Sequence, residues 1–181
     1  MSTFLGWMPD AAAQAALADL QHRIRAALPA DAPRHDWRLP AQWHMTLRYI
    51  GDALDEAQRR RLDAAMARLA AQTPAADGML AGAQYWPHAR VLVARIDASD
   101  ALMALLRQLE ATMQDCGLVK GRAQTPHVTL ACLSNSAVPA LPALAWTPVP
   151  LHVDRVHLLH TAPDAYRSLA CWPLAGASPG A

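Results

Sequence analysis

WHMTLRYIGD, residues 43–52, contains the tetrad His44-Met45-Thr46-Leu47, and a second tetrad of the same form, His127-Val128-Thr129-Leu130, follows later in the chain. Polar and apolar residues alternate in both tetrads, which predicts two β-strands. On each strand the His and Thr side chains lie on one face and the apolar side chains lie on the other. Two such strands facing each other would bring two imidazoles and two hydroxyls into one cleft.

The composition is typical of a globular protein. The chain has 181 residues, of which 53% are hydrophobic and 17% are charged, and its formal net charge is +1. This length predicts one domain with a substantial core. So small a net charge argues against wrapping long nucleic acid, which requires many phosphate contacts, although a partner held at one or two phosphates remains open.

The sequence contains neither an apolar run of roughly 18–20 residues nor a signal peptide, so we expect a cytoplasmic protein that does not associate with membranes. The three cysteines, Cys116, Cys132 and Cys171, have no CxxC spacing. We therefore predict neither a disulfide framework nor a thiolate zinc site.

Apolar spacing predicts three helices, over residues 10–28, 54–71 and 99–116, with strands between and after them. Residues 35–39 predict a short strand that pairs with the strand carrying His44. Residues 73–78 have the composition of a linker, and residues 149–159 predict one strand. Because the tetrads are separated by about half the chain, we predict an α+β fold with two similar lobes.

Two imidazoles facing one pocket suit displacement at phosphorus without a metal. One imidazole takes a proton from the attacking oxygen, and the other gives a proton to the leaving oxygen. Threonine hydroxyls beside them can donate hydrogen bonds to the non-bridging oxygens. Acyl chemistry is less well supported, because the sequence has no GxSxG motif.

A metal site built from His152, His157 and His160 is the alternative for the remaining histidines. Three-residue spacing on a strand puts His157 and His160 on opposite faces, and no HExxH motif accompanies them. We therefore expect neither a metal nor another cofactor.

The blocks HMTLRYIGD and PHVTLACL resemble the two HxTx motifs of the 2H phosphoesterase superfamily, most closely those of the RNA 2′,3′-cyclic phosphodiesterases, also called 2′-5′ RNA ligases. The resemblance extends from about residue 3 to 174 and includes the blocks YWPHARVLVARID, VDRVHLL and YRSLACWPL. It implies a single bilobal domain over residues 1–174. Its antiparallel sheets would have helices on the outside, and each lobe would give one HxT strand to a central cleft. We expect residues 175–181 to form a disordered tail.

The resemblance also implies an activity: metal-independent hydrolysis of RNA 2′,3′-cyclic phosphodiester ends to 2′-phosphomonoesters, with 2′-5′ ligation as the reverse reaction. By this carry-over His44 is the proton donor to the leaving 3′-oxygen and His127 is the proton acceptor that activates water, although the sequence alone allows these roles to be exchanged. Thr46 and Thr129 would hold the phosphate. The expected partner of this monomer is an RNA 3′ end or a small cyclic nucleotide. The alternative is a non-catalytic RNA-end or nucleotide-binding module of the same fold.

The chain departs from the family at Cys132, where many members carry an arginine in HxTLxR. A cation beside the phosphate contributes to binding and to charge stabilisation. We hypothesise that a cation from elsewhere substitutes for it, and the candidates are Arg48, Arg90, Lys120 and Arg122. The strand parity of Arg48 matches that of His44 and Thr46, which predicts the same face, but Arg48 lies nearer the end of the strand.

Aromatic side chains divide into candidates for base stacking and candidates for packing. Trp37, Tyr85 and Trp86 are candidates to stack on a base, a common way of holding single-stranded RNA. Trp43 and Tyr49 have the parity opposite to His44, which predicts that they pack in the core.

Overall fold

The computed structural model describes residues 2–51, 54–134, 140–163 and 165–177. These residues form nine strands, three α-helices and one short 3-10 helix, in the order β1 (Thr3–Trp7), α1 (Ala11–Ala27), β2 (His35–Trp37), the 3-10 helix (Pro40–Gln42), β3 (Met45–Gly51), α2 (Glu56–Gln72), β4 (Ala76–Trp86), β5 (Val91–Ala98), α3 (Asp100–Asp115), β6 (His127–Leu133), β7 (Val149–Val153), β8 (Arg155–Thr161) and β9 (Tyr166–Pro173). Within them, every helix is too short or too polar to cross a bilayer.

Each of the three predicted helices begins at a capping side chain. Asp10, Asp55 and Ser99 accept a hydrogen bond from the backbone N–H three residues later, which satisfies a donor that the first helical turn leaves unpaired. The apolar residues spaced at three and four positions are the ones that the helices bury, as in α1, where the buried residues are Ala13, Leu17, Leu20 and Ile24.

The strands form two antiparallel sheets. The first sheet has the order β3-β1-β8-β9, and the second has the order β2-β6-β5-β4-β7. The first tetrad leads into β3 and the second lies in β6, so each sheet holds one tetrad strand, and the two strands contact each other. The predicted α+β fold with two antiparallel sheets is therefore confirmed.

The sheets do not correspond to the two halves of the chain. The predicted pairing of β2 with β3 is wrong, because β2 pairs with β6, where Asp36 lies opposite Cys132 and Trp37 lies opposite Ala131. The residues between β2 and β3 form a 3-10 helix rather than the tight turn that a hairpin requires. A strand from the first half thus covers the edge of the second tetrad strand.

The predicted strand over residues 149–159 is also wrong, because it is two strands in different sheets. The chain leaves the second sheet after Val153 and enters the first at Arg155, so β7 pairs with β4 whereas β8 pairs with β1 and β9. The predicted linker over residues 73–78 is wrong as well, because β4 begins at Ala76, which is buried.

The predicted tail at 175–181 lies partly outside the described residues, which end at 177. Ala175 donates a backbone hydrogen bond to Thr73 and accepts one from Ala75. Ordered structure therefore extends past the expected boundary at 174.

Candidate active site

The first tetrad strand has a β-bulge immediately after its HxT residues. Thr46 is paired with Gly6 and Arg48 is paired with Leu5, which leaves Leu47 as the extra residue. A bulge interrupts the alternation of side chains along a strand. Consequently Leu47 and Arg48 are both buried, and Tyr49 returns to the exposed face of Thr46 with 47% of its surface accessible.

The second tetrad strand has a bulge at the equivalent position. Thr129 is paired with Val93 and Ala131 is paired with Leu92, so Leu130 is the extra residue. Leu130 and Ala131 are both buried, and Cys132 is half-buried on the face of His127 and Thr129. The cleft face of β6 therefore contains a thiol three residues after the threonine.

The two imidazoles are oriented by equivalent hydrogen bonds. Nδ1 of His44 lies 3.0 Å from the carbonyl oxygen of Gln42, and Nδ1 of His127 lies 2.7 Å from the carbonyl oxygen of Thr125. A carbonyl only accepts, so Nδ1 carries the proton in both contacts. Nε2 of each ring is then the atom that can exchange a proton with a ligand.

Burial disfavours the protonated form of both imidazoles in the free protein. It lowers the pKa of His44 to about 4, and the positive charges of His127 and Arg38 act in the same direction while the hydrogen bond to Gln42 opposes them. It also lowers the pKa of His127, against the hydrogen bond to Thr125. Both rings are therefore neutral at pH 7 and interact with each other electrostatically.

Aromatic rings flank the two imidazoles. The ring of Tyr166 lies 4.1 Å from that of His44 and the ring of Phe4 lies 4.9 Å from it, measured between centroids. Trp86 lies 4.4 Å from His127. The sequence did not identify Phe4 or Tyr166, because neither belongs to a repeated motif.

Of the three predicted stacking residues, Trp86 is the one in contact with a tetrad imidazole. Tyr85 is buried, and its hydroxyl forms a hydrogen bond with Nε2 of His35. Trp37 stacks on the same His35 ring at a centroid distance of 5.1 Å. The packing prediction is confirmed for Trp43, which is 1% exposed, and is wrong for Tyr49 because of the bulge.

The tetrad threonines leave their hydroxyls available to a ligand. Thr46 and Thr129 are half-buried on the cleft faces of β3 and β6. Among the described residues, neither hydroxyl has a hydrogen-bond partner.

Arg48 does not face the cleft, so the orientation predicted for it from strand parity is wrong. The bulge turns its side chain to the buried face, where Nε lies 2.5 Å from the Glu110 carboxylate and the guanidinium also donates to the carbonyls of Tyr49 and Val119. Its side chain is 5% exposed. All these partners are groups of the protein itself, and they hold the side chain of Arg48 in the fold.

The other predicted cations lie in two different parts of the molecule. Arg122 and Lys120 line a groove beside α3 together with Arg48 and Glu110. Arg90 is exposed in the turn between β4 and β5. Within the described part of the chain, no hydrogen bond or ion pair joins these cations to the tetrad side chains.

Arg38 is a cation that the sequence analysis missed. It directly follows β2, and its backbone N–H donates to the carbonyl of Leu130. Its Nη2 lies 2.9 Å from Sγ of Cys132, and its charge acts on both His44 and Tyr166. The reason for the omission is the pairing of β2 with β6, which no local pattern encodes.

The histidines of the alternative metal site have separate partners. His152 contacts Asp77 at 2.7 Å, His157 contacts Ser168 at 3.0 Å and His160 contacts Thr3 at 3.2 Å. In the residues that the structure describes, no three His, Cys, Asp or Glu side chains form a group that could hold a metal.

Comparison with known families and structures gives a consistent result. The family model of the 2′-5′ RNA ligase superfamily matches residues 38–165, well over half of the chain. The structure of TT0787 of Thermus thermophilus is similar with a TM-score of 0.76 and 23% identity, covering 97% of this chain and 99% of that one. The structure of E. coli LigT complexed with 3′-AMP is similar with a TM-score of 0.71 and 20% identity, covering 96% and 97%. At these identities the likeness establishes the fold. No curated protein sequence matches the chain.

Proposed function

The chain belongs to the 2′-5′ RNA ligase superfamily, and on this basis we propose that it hydrolyses RNA 2′,3′-cyclic phosphodiester ends to 2′-phosphomonoesters. The observation that carries the proposal is the matched orientation of the two imidazoles. Each donates through Nδ1 to the carbonyl two residues earlier, so Nε2 of each is free for proton exchange. Two such groups are what an in-line displacement at phosphorus uses.

In the proposed reaction, Nε2 of His127 takes a proton from water as its oxygen bonds to phosphorus. The bond between phosphorus and the ribose 3′-oxygen breaks, and His44 gives a proton to that oxygen. The product keeps its phosphate on the 2′-oxygen. The same steps in the same direction, with a 5′-hydroxyl as the attacking group in place of water, would form a 2′-5′ linkage.

His44 is neutral in the free protein, so it has to acquire its proton together with the substrate. Burial keeps the pKa of His44 near 4 while the cleft is empty. A phosphodiester anion beside the ring favours the imidazolium and would raise this pKa. Substrate binding and protonation of His44 are therefore coupled.

The remaining residues would hold the substrate. The hydroxyls of Thr46 and Thr129, which have no hydrogen-bond partner among the described residues, would donate to the non-bridging oxygens, where the transition state carries negative charge. Trp86, in contact with His127, offers a face on which a base can stack. E. coli LigT has been crystallised with 3′-AMP, which supports a nucleotide as the ligand of this cleft as well.

The test is hydrolysis of 2′,3′-cyclic AMP in the presence of EDTA, with the phosphate position of the product determined by phosphorus NMR. We expect wild type to form 2′-AMP and His44→Ala and His127→Ala to lose roughly 10²–10⁴-fold in rate. His22→Ala is the matched control, because His22 is an exposed histidine on α1 that belongs to neither tetrad. Full activity in either tetrad variant would refute the two-histidine mechanism. Nucleotide binding by wild type without product would instead indicate the non-catalytic module.

A substrate analogue separates the roles of the two histidines. With sulfur replacing the bridging 3′-oxygen, the leaving group departs as a thiolate and needs no proton. We expect this analogue to restore much of the rate in His44→Ala and little in His127→Ala. Restoration in His127→Ala alone would exchange the two roles.

A further inference from the structure

The tetrads alone provide no fixed positive charge for an anionic substrate. Both imidazoles are neutral in the free protein, and the threonines contribute neutral hydroxyls. Arg48 is committed to Glu110, and Arg122 lies in the groove beside α3. A phosphodiester bound by these groups alone would lose its hydration, and its counter-charge would depend on protonating His44 against the effect of burial.

Arg38 reaches the cleft from outside the two tetrad strands. The backbone pairing of β2 with β6 fixes its Cα beside Leu130, the bulge residue of the second tetrad. Its guanidinium extends to Cys132, on the face that carries His127 and Thr129. The charge of Arg38 also acts to lower the pKa of His44, which precedes the other tetrad strand, and of Tyr166.

The partners of Arg38 leave it able to bind a ligand. The thiol of Cys132 is a weak acceptor. Asp36 lies 3.7 Å from Nη1, and its own side chain is 72% exposed, so this ion pair is weak. About a third of the Arg38 side chain is accessible, at 33%, compared with 5% for Arg48. A guanidinium held this loosely retains N–H groups for an anion.

We propose that Arg38 binds the phosphate of the substrate and is the cation of this cleft. The thiol of Cys132 positions its guanidinium. The planar guanidinium can donate two parallel hydrogen bonds to the non-bridging oxygens of a phosphodiester. This inference rests on the proposed function for its substrate, but not for its ligand chemistry, which is an oxyanion of phosphorus.

The experiment compares Arg38→Met, Arg38→Lys and the double variant Arg38→Met/Cys132→Arg with wild type. Met retains most of the apolar part of the Arg38 side chain. The double variant restores a guanidinium at position 132, the residue that Arg38 contacts. Arg60→Ala is the matched control, because Arg60 is exposed on α2 and pairs with Glu56. Affinity for 2′-AMP and for inorganic phosphate is measured by calorimetry at several salt concentrations, and turnover of 2′,3′-cyclic AMP is measured alongside.

We expect Arg38→Met to weaken 2′-AMP binding and to raise KM by roughly 10- to 100-fold, the effect of losing one or two charged hydrogen bonds. The salt dependence of binding should also decrease, which loss of a purely structural contact would not cause. Arg38→Lys should lose less than Arg38→Met, and the double variant should recover at least part of the affinity. Arg60→Ala should match wild type.

The outcomes distinguish this proposal from the proposed function. Wild type that binds 2′-AMP but does not hydrolyse the cyclic substrate refutes the function, while weaker binding by Arg38→Met still supports the role of Arg38. Affinity and KM within about twofold of wild type in a folded Arg38→Met protein overturn the role of Arg38, whatever the activity. Wild type that binds neither probe overturns it too.

Discussion

The two tetrad histidines are held in the same way, and this makes them sensitive to pH in a defined direction. Each Nδ1 is fixed by a backbone carbonyl in a half-buried environment that penalises the imidazolium. In the unfolded chain the same histidine has a pKa of about 6.5. The unfolded state therefore binds a proton at a pH where the folded state does not.

We predict that titration of His44 lowers the free energy of unfolding as the pH falls from about 6.5 towards 4. The contribution of neutral His44 is complete above its unfolded pKa and is lost as the pH falls to its folded pKa of about 4. Between pH 7.5 and 4.5 the loss attributable to His44 is about 2 kcal/mol. Urea unfolding of wild type and His44→Gln at both pH values measures it.

The comparison with His44→Gln is needed because other groups titrate in the same range. Asp154 and Glu110 have pKa values lowered in the folded state, so both also reduce stability in acid. They are common to the two proteins and cancel in the difference. Equal pH dependence in wild type and His44→Gln would show that burial does not perturb His44.

Among the elements, the two bulges have the largest effect on which side chains the cleft receives. One extra residue in β3 sends Arg48 into the interior and brings Tyr49 to the open face, and the equivalent residue in β6 brings Cys132 to the cleft. The hydrogen-bond register therefore decides the face on which Arg48, Tyr49 and Cys132 lie. Simple alternation from the HxT residues predicts the opposite face for all three side chains.

We predict that Arg48 supports stability and not substrate binding. Arg48→Met leaves the Glu110 carboxylate without its buried partner, and removing one member of such a pair typically costs about 3 kcal/mol. Thermal unfolding should show a clear loss of stability, whereas KM at a temperature where the variant is folded should match wild type. The double variant Arg48→Met/Glu110→Leu should regain part of the lost stability. A raised KM with an unchanged unfolding temperature would contradict this prediction and show that Arg48 acts on the substrate.

Local sequence was sufficient for the helices and for the strand faces of the four tetrad side chains in the candidate site. Helix faces and caps follow from spacing and residue type, and the tetrads gave the four central side chains by alternation over three residues. Arg38, Tyr166 and Phe4 could not be found in this way, because long-range pairing places them. The wrong prediction for Arg48 has a local cause, the bulge at Leu47. A bulge has no strong sequence signal when the inserted residue is an ordinary leucine.

For the molecule as a whole, the important feature is the exchange of strands between the sheets. β2, from early in the chain, covers the edge of β6, whereas β8 and β9 join β1 and β3 in the first sheet. Tetrads half a chain apart thus lie on strands that contact each other, an arrangement that neither half of the sequence forms alone. We expect residues 1–174 to fold as one cooperative unit.

We predict that a chain ending after Val153 does not fold. Without β8 and β9, β1 loses its partner on one side, and buried residues of the first sheet such as Leu5 and Trp7 lose their packing. Circular dichroism and limited proteolysis of the 1–153 chain should show no protected unit. A truncated chain with native-like protease resistance would demonstrate that the second sheet folds independently.

The position of β8 and β9 in the first sheet also determines when the candidate site can form during synthesis of the chain. Both tetrads leave the ribosome well before these strands do, yet β1 has only β3 beside it until β8 arrives. Folding that depends on pairing between distant segments is slow to begin. A nascent chain therefore carries every tetrad side chain for some time before the two tetrad strands can be held together by complete sheets.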